Sequence, residues 1–335
     1  IIFLCENISN IKLFCSVKDL STINLTLKEY IDKYRIFLVK LDLSNDQEIK
    51  NVFNNILPDY FINLGGQSSV GKSWDNLEYT FKINTYSIVT ILNTIKSSKP
   101  RCRFFNAGSS EEFGLVKYTP QDMLHPKNPQ SPYATSKTLA HNIIKFFRQT
   151  YNIFAIHSIM YNHEGTMRSK NFVTRKITSN IARIKKELED NKEPQPLELG
   201  NLNTKRDFGN SFDYVEAIWL MINNNIPKDY IVSTNESYSL YEFITLAFKC
   251  ANIPISWHID TENPLNTKVF YNNKSNYLLL KINKNYYRPT EVDNLVGSNL
   301  EIKRDLKWKP KTTFKNMIKE MIDNDINLIN QKKPY

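Results

Sequence analysis

Short apolar runs separated by longer amphipathic stretches set the pattern of the chain. Residues 11–17 (IKLFCSV), 36–43 (IFLVKLDL), 59–64 (DYFINL), 101–108 (RCRFFNAG) and 154–161 (FAIHSIMY) are brief and rich in β-branched or aromatic residues. That predicts buried strands. Between them, Ile83, Tyr86, Ile88, Ile91, Leu92 and Ile95 recur at helical spacing and predict a helix over about 75–97. A second helix is predicted from Tyr133 to about Tyr151. Strands alternating with helices argue for an α/β fold, a Rossmann-type doubly wound parallel sheet. Such sheets bind ligands at the carboxyl ends of their strands. The turns Gly65-Gly66, Gly108-Ser109 and Asn162-His163-Glu164 all fall at that edge, which points to a single site. The second half is less regular. Helices are predicted over 171–188, about 212–224, 240–252 and 313–330, a short strand near 229–234, and a polar loop over 189–196. This half supplies the last sheet strands and a smaller C-terminal α/β substrate lobe.

Composition narrows the class. With 335 residues the chain can bury a large core, and 41% hydrophobic with 23% charged residues is ordinary for a globular enzyme. No apolar run reaches the roughly 18 residues that span a bilayer, so a soluble, cytoplasmic protein without a membrane partner is expected. The net charge of +10 comes from lysines scattered through Asn/Ile-rich segments, with no basic stripe interleaved with aromatics. A nucleic-acid partner is therefore not expected. Cys5, Cys15, Cys102 and Cys250 show no C-x-x-C spacing, which suits a reducing compartment. His125, His141, His157, His163 and His258 show no paired metal-ligand spacing, so no metal is expected. The sequence begins at Ile1, and an upstream segment is expected to be missing.

Candidate chemistry centres on SPYATSK (131–137) and AGSSEEFG (107–114). Tyr133 and Lys137 are four apart, so on a helix they share one face, one turn from each other. A phenol with a pKa of about 10 is a weak base, and a nearby cation favours its phenolate. An isolated Tyr-x-x-x-Lys pair is also a common surface pattern, and its neighbours decide between the two readings. Ser109 and Ser110 read equally as a tight strand end, and Glu111-Glu112 as a solvated pair.

Beyond these, the runs NLGGQSSV (63–70), YNHE (161–164), NFVTRKI (171–177), LGNLNTKRDFGNSFDYVEAIWLM (199–221), YYRPTEVDNLVG (286–297) and LKWKP (306–310) resemble the GDP-mannose 4,6-dehydratase family of the extended short-chain dehydrogenase/reductase superfamily. The resemblance covers roughly residues 11–330. It implies dehydration of GDP-D-mannose to GDP-4-keto-6-deoxy-D-mannose, as a lyase feeding GDP-fucose or another GDP-deoxyhexose. Electrons would pass from C4 to a nicotinamide and return at C6 within one turnover. Residue by residue, it implies that Tyr133 takes the O4 proton with Lys137 beside it, that Ser109 bonds the C4 oxygen, and that Glu111 removes the C5 proton. Glu112 falls where the family tends to have an apolar residue. For the cofactor it implies Lys18, Asp42, Leu43, Leu64, Gly65, Gln67, Ser68, Tyr133, Lys137, His163 and Arg168. For GDP-mannose it implies Asn162, Glu164, Asn171, Val173, Lys176, Leu199, Gly200, Asn201, Arg206, Arg288 and Glu291. Guanidinium groups such as Arg206 and Arg288 suit a diphosphate, although structural ion pairs are an alternative use for them. The cofactor implied is NADP, with NAD also open, and the assembly a homodimer or homotetramer. Residues 1–163 with about 207–235 would form the NADP-binding domain, and 164–206 with 236–335 the nucleotide-sugar lobe.

The sequence departs from this pattern at its front. A dinucleotide fold carries a Gly-x-x-Gly-x-x-Gly turn after its first strand, whereas the first glycine here is Gly65. On alignment, residues 1–9 become the first helix and 11–17 the second strand, so one strand and its turn, about 15 residues, are expected to lie outside the sequence. An Arg pair that would face the 2′-phosphate of NADP is here Lys18 followed by Asp19, which weakens the preference over NAD. Thr166-Met167-Arg168-Ser169 and Ser87 also depart from the family pattern. Two other readings remain: a related dehydratase or epimerase of UDP or dTDP sugars, and a catalytically silent nucleotide-sugar-binding scaffold.

Overall fold

The computed structural model describes residues 1–22, 25–34, 36–273, 276–287, 292 and 294–331. Its main sheet holds four parallel strands in the order Ile231–Val232, Ala155–Met160, Arg103–Ala107 and Tyr60–Asn63. Ala155–Met160 is buried along its whole length, as an interior strand covered on both faces must be. Two further strands, Phe14–Val17 and Phe37–Lys40, pair in parallel as a separate two-stranded sheet. The expected single sheet is thus divided. Among the described residues no strand hydrogen-bonds Phe14–Val17 to Tyr60–Asn63. The helix Ile2–Asn7 precedes the first of these strands, in the place the sequence predicted.

The helix predicted over 75–97 is instead segmented: Lys72–Asp75, Leu77–Phe81, a wide π turn over Lys82–Tyr86, and Ser87–Ser98. The extra residue in a π turn re-aims side chains. Here Asn84 turns inward, accepting the Gln67 N–H at 2.9 Å and donating to Ser136 Oγ at 3.0 Å. Ser87 is buried without loss, because its hydroxyl donates to the Ile83 carbonyl.

The long helix Pro132–Tyr151 follows from its ends. Ser131 caps it by accepting the Ala134 N–H at 3.1 Å, Pro132 occupies the first turn, and Asn152 stops it in the left-handed conformation. At Gly114 φ is +54°, and a Cβ there would lie 1.7 Å from the Asn128 carbonyl oxygen, so glycine is required.

In the second half, Ile255–His258, Lys268–Tyr271 and Leu278–Ile282 run antiparallel, and Leu197–Leu199 adds in parallel. The strands over 255–282 escaped the sequence pattern because none holds more than three consecutive apolar residues. Helices Val173–Glu189, Leu240–Cys250 and Phe314–Asn330 cover this sheet. Their residues Ile177, Ile181, Ile184, Phe243, Ile244, Ala247, Met317, Ile318, Met321 and Ile322, at helical spacing, form its core. Among the described residues, no helix is long and apolar enough to cross a membrane.

Candidate active site

The helix Pro132–Tyr151 lays Tyr133, Lys137 and His141 along one stripe, four residues apart. Tyr133 is buried, and the Ser109 hydroxyl, just past the end of the strand Arg103–Ala107, favours its phenolate. Ser109 Oγ accepts the Glu111 N–H at 3.3 Å, which leaves its own proton for the phenol oxygen. The Lys137 ammonium donates to the Ala107 carbonyl at 2.7 Å and lies 5.9 Å from the Tyr133 ring centroid.

The electrostatics differ from the expectation that Lys137 lowers the phenol pKa. Burial pushes Tyr133 up to about 12; the Ser109 hydrogen bond and Arg168 work against this, while Glu111 and Glu112 add to it. Burial also pushes Lys137 down to about 8, with Glu112 working against this, so it keeps its proton near neutral pH.

Behind the phenol lies a polar cluster that sequence reading missed. Glu112 is 0% exposed. Its Oε1 accepts the Ser109 N–H at 3.0 Å and His157 Nε2–H at 2.8 Å, and its Oε2 meets Lys127 Nζ at 2.6 Å and His141 Nδ1 at 3.4 Å. Burial opposes the Glu112 charge, but His157, Lys127 and His141 outweigh it and hold the carboxyl well below the usual range. His141 Nε2 donates to Asp229 at 3.1 Å, and Arg148 grips both oxygens of Asp229 at 2.7 Å. Two signals in the sequence could have shown part of this. Ser109-x-x-Glu112 is a capping-box pattern, and the structure forms that box. His141 also continues the Tyr133/Lys137 stripe.

Ligand atoms of Glu112, His141 and His157 lie within 4.8 Å of one another, a grouping no sequence spacing announced because they come from three elements. The Lys127 ammonium stands among them, in contact with His141 Nδ1 and Glu112, so a positive charge already occupies the cluster.

This cluster makes stability depend on pH. Burial lowers His157 from 6.5 to about 4, so the folded state favours the neutral ring. That contribution is complete above pH 6.5 and is lost as pH falls towards about 4. Burial opposes the Asp229 charge too, but Arg148 and His141 depress its pKa from 3.8, so its contribution is lost only at still lower pH. His141 acts in the opposite sense. Its pKa is raised, against burial, by Asp229 and Glu112, so its contribution is present below pH 6.5 and disappears as pH rises through the folded value. Thermal unfolding of His157→Gln is expected to fall less steeply between pH 6.5 and 4 than that of the unsubstituted chain. An equal slope in both would assign the acid limb to other groups.

At the neighbouring strand ends, Leu64, Gly65 and Ser68 are exposed while the Gln67 side chain turns inward to Ser69 and Thr80. Leu43 packs against Gly65 so closely that a Cβ there would come within 2.6 Å of it. A Cβ on Gly66 would come within 2.9 Å of Asn84 Oδ1 and 3.7 Å of the Lys137 ammonium. Lys18 pairs with Asp42 at 3.1 Å and donates to the Tyr79 hydroxyl at 3.2 Å, and Asp19 accepts from Ser21. The cofactor set named from sequence therefore lies along one edge of the two sheets. His163 and Arg168 approach it from the strand Asn162–Glu164 and the loop after it; Arg168 acts on both Tyr133 and His163.

The substrate set divides into groups. Lys176 stacks its ammonium on Tyr286 at 3.6 Å, and a Cβ on Gly200 would meet the Tyr286 carbonyl at 2.5 Å, so these converge. Beside them a cavity of about 370 Å³ is lined by Gly200, Asn201, Leu202, Tyr241, Asp260 and Tyr287 among others. Asn162 lies half-buried in its strand, and Asn171 is exposed just before the helix that starts at Val173. Three members are used internally. Glu164 accepts from Thr174 at 2.6 Å and pairs with Arg168 at 3.2 Å, Leu199 belongs to the apolar core, and Arg206 donates to the Val292 carbonyl at 2.7 Å. Arg288 and Glu291 lie outside the described residues.

The fold is shared with solved enzymes. RMD from Pseudomonas aeruginosa, complexed with NADPH, superposes with a TM-score of 0.74 at 21% identity, over 94% of this chain and 99% of that one. A dTDP-glucose 4,6-dehydratase from Bacillus anthracis, in complex with NAD, superposes with a TM-score of 0.76 at 17% identity, over 98% and 92%. In sequence, a GDP-mannose 4,6 dehydratase of Drosophila melanogaster is 37% identical over 295 residues, covering 88% of this chain and 72% of that protein. The GDP-mannose 4,6 dehydratase of Homo sapiens is 36% identical, over 86% and 76%. The family model described as GDP-mannose 4,6 dehydratase matches residues 7–321, a span that includes the Ser109 turn, the Tyr133 helix and the cavity beside Gly200. With that coverage and those identities, the chain belongs to the GDP-mannose 4,6 dehydratase family.

Proposed function

We propose that this chain dehydrates GDP-D-mannose to GDP-4-keto-6-deoxy-D-mannose with a nicotinamide cofactor, NADP in preference to NAD. The observation that carries the reading is the meeting of Ser109, Tyr133 and Lys137 at the carboxyl ends of parallel strands, in a chain of this family. The edge fits such a cofactor: Gly65 and Gly66 are exposed there, and Gly66 lies beside the Lys137 ammonium. Lys18 would meet a 2′-phosphate, since Asp19 is turned to Ser21. When bound, the cofactor supplies a reversible two-electron acceptor for C4 and returns the pair at C6.

The residues do the rest. Tyr133 Oη accepts the O4 proton, and Ser109 hydrogen-bonds the C4 oxygen. With the phenol pushed up to about 12, added positive charge is needed, and Arg168 already contributes some. Oxidation at C4 acidifies the C5 proton; Glu111 removes it and passes a proton to the departing C6 hydroxyl, which leaves as water. The resulting C5–C6 double bond is closed by hydride at C6 and a solvent proton at C5, matching the proton given up at O4. Residues 1–163 with about 207–235 serve the cofactor. Residues 164–206 with 236–335 serve the nucleotide sugar, with Lys176, Gly200 and Asn201 beside the cavity taking the GDP end.

Incubation of the full chain with NADP and GDP-mannose labelled with deuterium at C4 is expected to give the 4-keto product with deuterium at C6. UDP-glucose and dTDP-glucose are expected to give none. GDP-mannose binding without turnover would instead establish the silent scaffold. Glu111→Gln is expected to slow water loss roughly 10²–10³-fold, the lower half of the range for a positioned base, while oxidation at C4 persists. Unchanged water loss would remove Glu111 from its role.

A further inference from the structure

Glu112, not its neighbour Glu111, is the enclosed carboxylate of the turn, and none of the proposed chemical steps uses it. We propose that Glu112 is a positioning residue, whose Oε1 clamps the Ser109 amide against His157 and whose Oε2 braces the turn to the Tyr133 helix through His141. The proposal rests on the functional reading above, since it concerns how Ser109 and Glu111 are presented to Tyr133.

The hydrogen-bond directions support the clamp. Asn63 Nδ2 donates to Asn106 Oδ1 at 2.8 Å, so the amino end of Asn106 faces His157 Nδ1 at 3.0 Å. That makes Nδ1 an acceptor and puts the ring proton on Nε2, aimed at Glu112 Oε1 at 2.8 Å. Oε1 is then shared by two donors, Ser109 N–H from just past the end of Arg103–Ala107 and His157 Nε2–H from within the neighbouring strand Ala155–Met160. Gly108 makes the approach possible, because a Cβ there would sit 2.2 Å from His157 Nε2 and 2.7 Å from Glu112 Oε1. A capping box on a solvated turn needs none of Lys127, His141 or His157. A carboxylate that is enclosed and met by three further groups has been given a more specific task.

Two near-isosteric variants separate reach from charge. Glu112→Gln keeps an acceptor at the same reach and loses the charge; Lys127, with 21% of its side chain exposed, can turn to water. Glu112→Asp keeps the charge and loses about one bond length of reach. We expect kcat to fall about threefold in Glu112→Gln and about 100-fold in Glu112→Asp, the scale of a misplaced catalytic group, with KM for GDP-mannose within about threefold in both. Hydrogen exchange at the Ser109 amide is expected to stay slow in the Gln variant and to quicken at least about tenfold in the Asp variant, while the amides of Phe314–Asn330 are unchanged. An active Asp variant with an inactive Gln variant would overturn the clamp in favour of charge. Unaltered kcat in both would overturn it, as would loss of protection throughout the chain in both. If the unsubstituted chain forms no 4-keto sugar, the functional reading falls, and exchange at Ser109 alone decides whether the clamp exists.

Discussion

Tyr133→Phe is expected to lower kcat for 4-keto sugar formation by roughly 10³-fold, the middle of the range for a general acid–base group, while GDP-mannose binding changes little. The substitution removes one oxygen and leaves the ring in its buried place, so packing is preserved. What disappears is the proton acceptor that Ser109 and Lys137 surround. The effect should fall on kcat because the phenol interacts with O4 as its proton moves, not with the nucleotide. Because the phenol is pushed up to about 12 in the absence of added positive charge, turnover of the unsubstituted chain should rise with pH through a group assigned to Tyr133. That limb should be missing from whatever rate the Phe variant retains. Normal turnover in Tyr133→Phe would overturn the role given to the phenol.

Asp229→Ala is expected to cost about 3–5 kcal/mol of stability, the scale for removing one partner of a buried ion pair. With about 2.1 cal/mol/K of unfolding entropy per residue, this is roughly a 4–7 °C fall in Tm for a chain of 335 residues. Asp229 holds both arms of Arg148 at 2.7 Å, His141 at 3.1 Å and the His157 N–H at 2.8 Å. Its removal strands a guanidinium and two further donors inside the protein, each with a desolvation cost. Those partners lie on the Tyr133 helix and on the strand Ala155–Met160, so the loss should also loosen the stripe of Tyr133, Lys137 and His141. Calorimetry of the purified variant checks this. A Tm within about 1 °C of the unsubstituted chain would mean that water replaces the carboxylate, contrary to its 6% side-chain exposure.

Much of the site was legible because its signals are local. Tyr133 and Lys137 are one helical turn apart, Ser109 follows a strand by two residues, and the Gly65-Gly66 turn follows another. Each needs only the period of an element to be placed. The substrate residues were less legible. Leu199 and Glu164 carry the same letters whether they face a ligand or the interior, and here they face the apolar core and Thr174. The segmented helix over 72–98 was hidden because a π turn keeps the apolar spacing nearly intact while shifting Asn84 inward.

By itself, the sequence determined the alternating α/β order, the edge of the sheet that carries the candidate site, and the placing of Tyr133 and Lys137 on one helix face. These follow from short-range periodicity and from residues adjacent in the chain. Only the tertiary structure decided that Glu112 is enclosed while Glu111 is not, that Lys127 joins two histidines around it, and that Asp229 closes the cluster from 72 to 88 residues away. It also decided the sign of the Tyr133 shift. Adjacent carboxylates look alike in a sequence, but burial and the charges brought near from distant elements set how firmly Glu112 holds its charge.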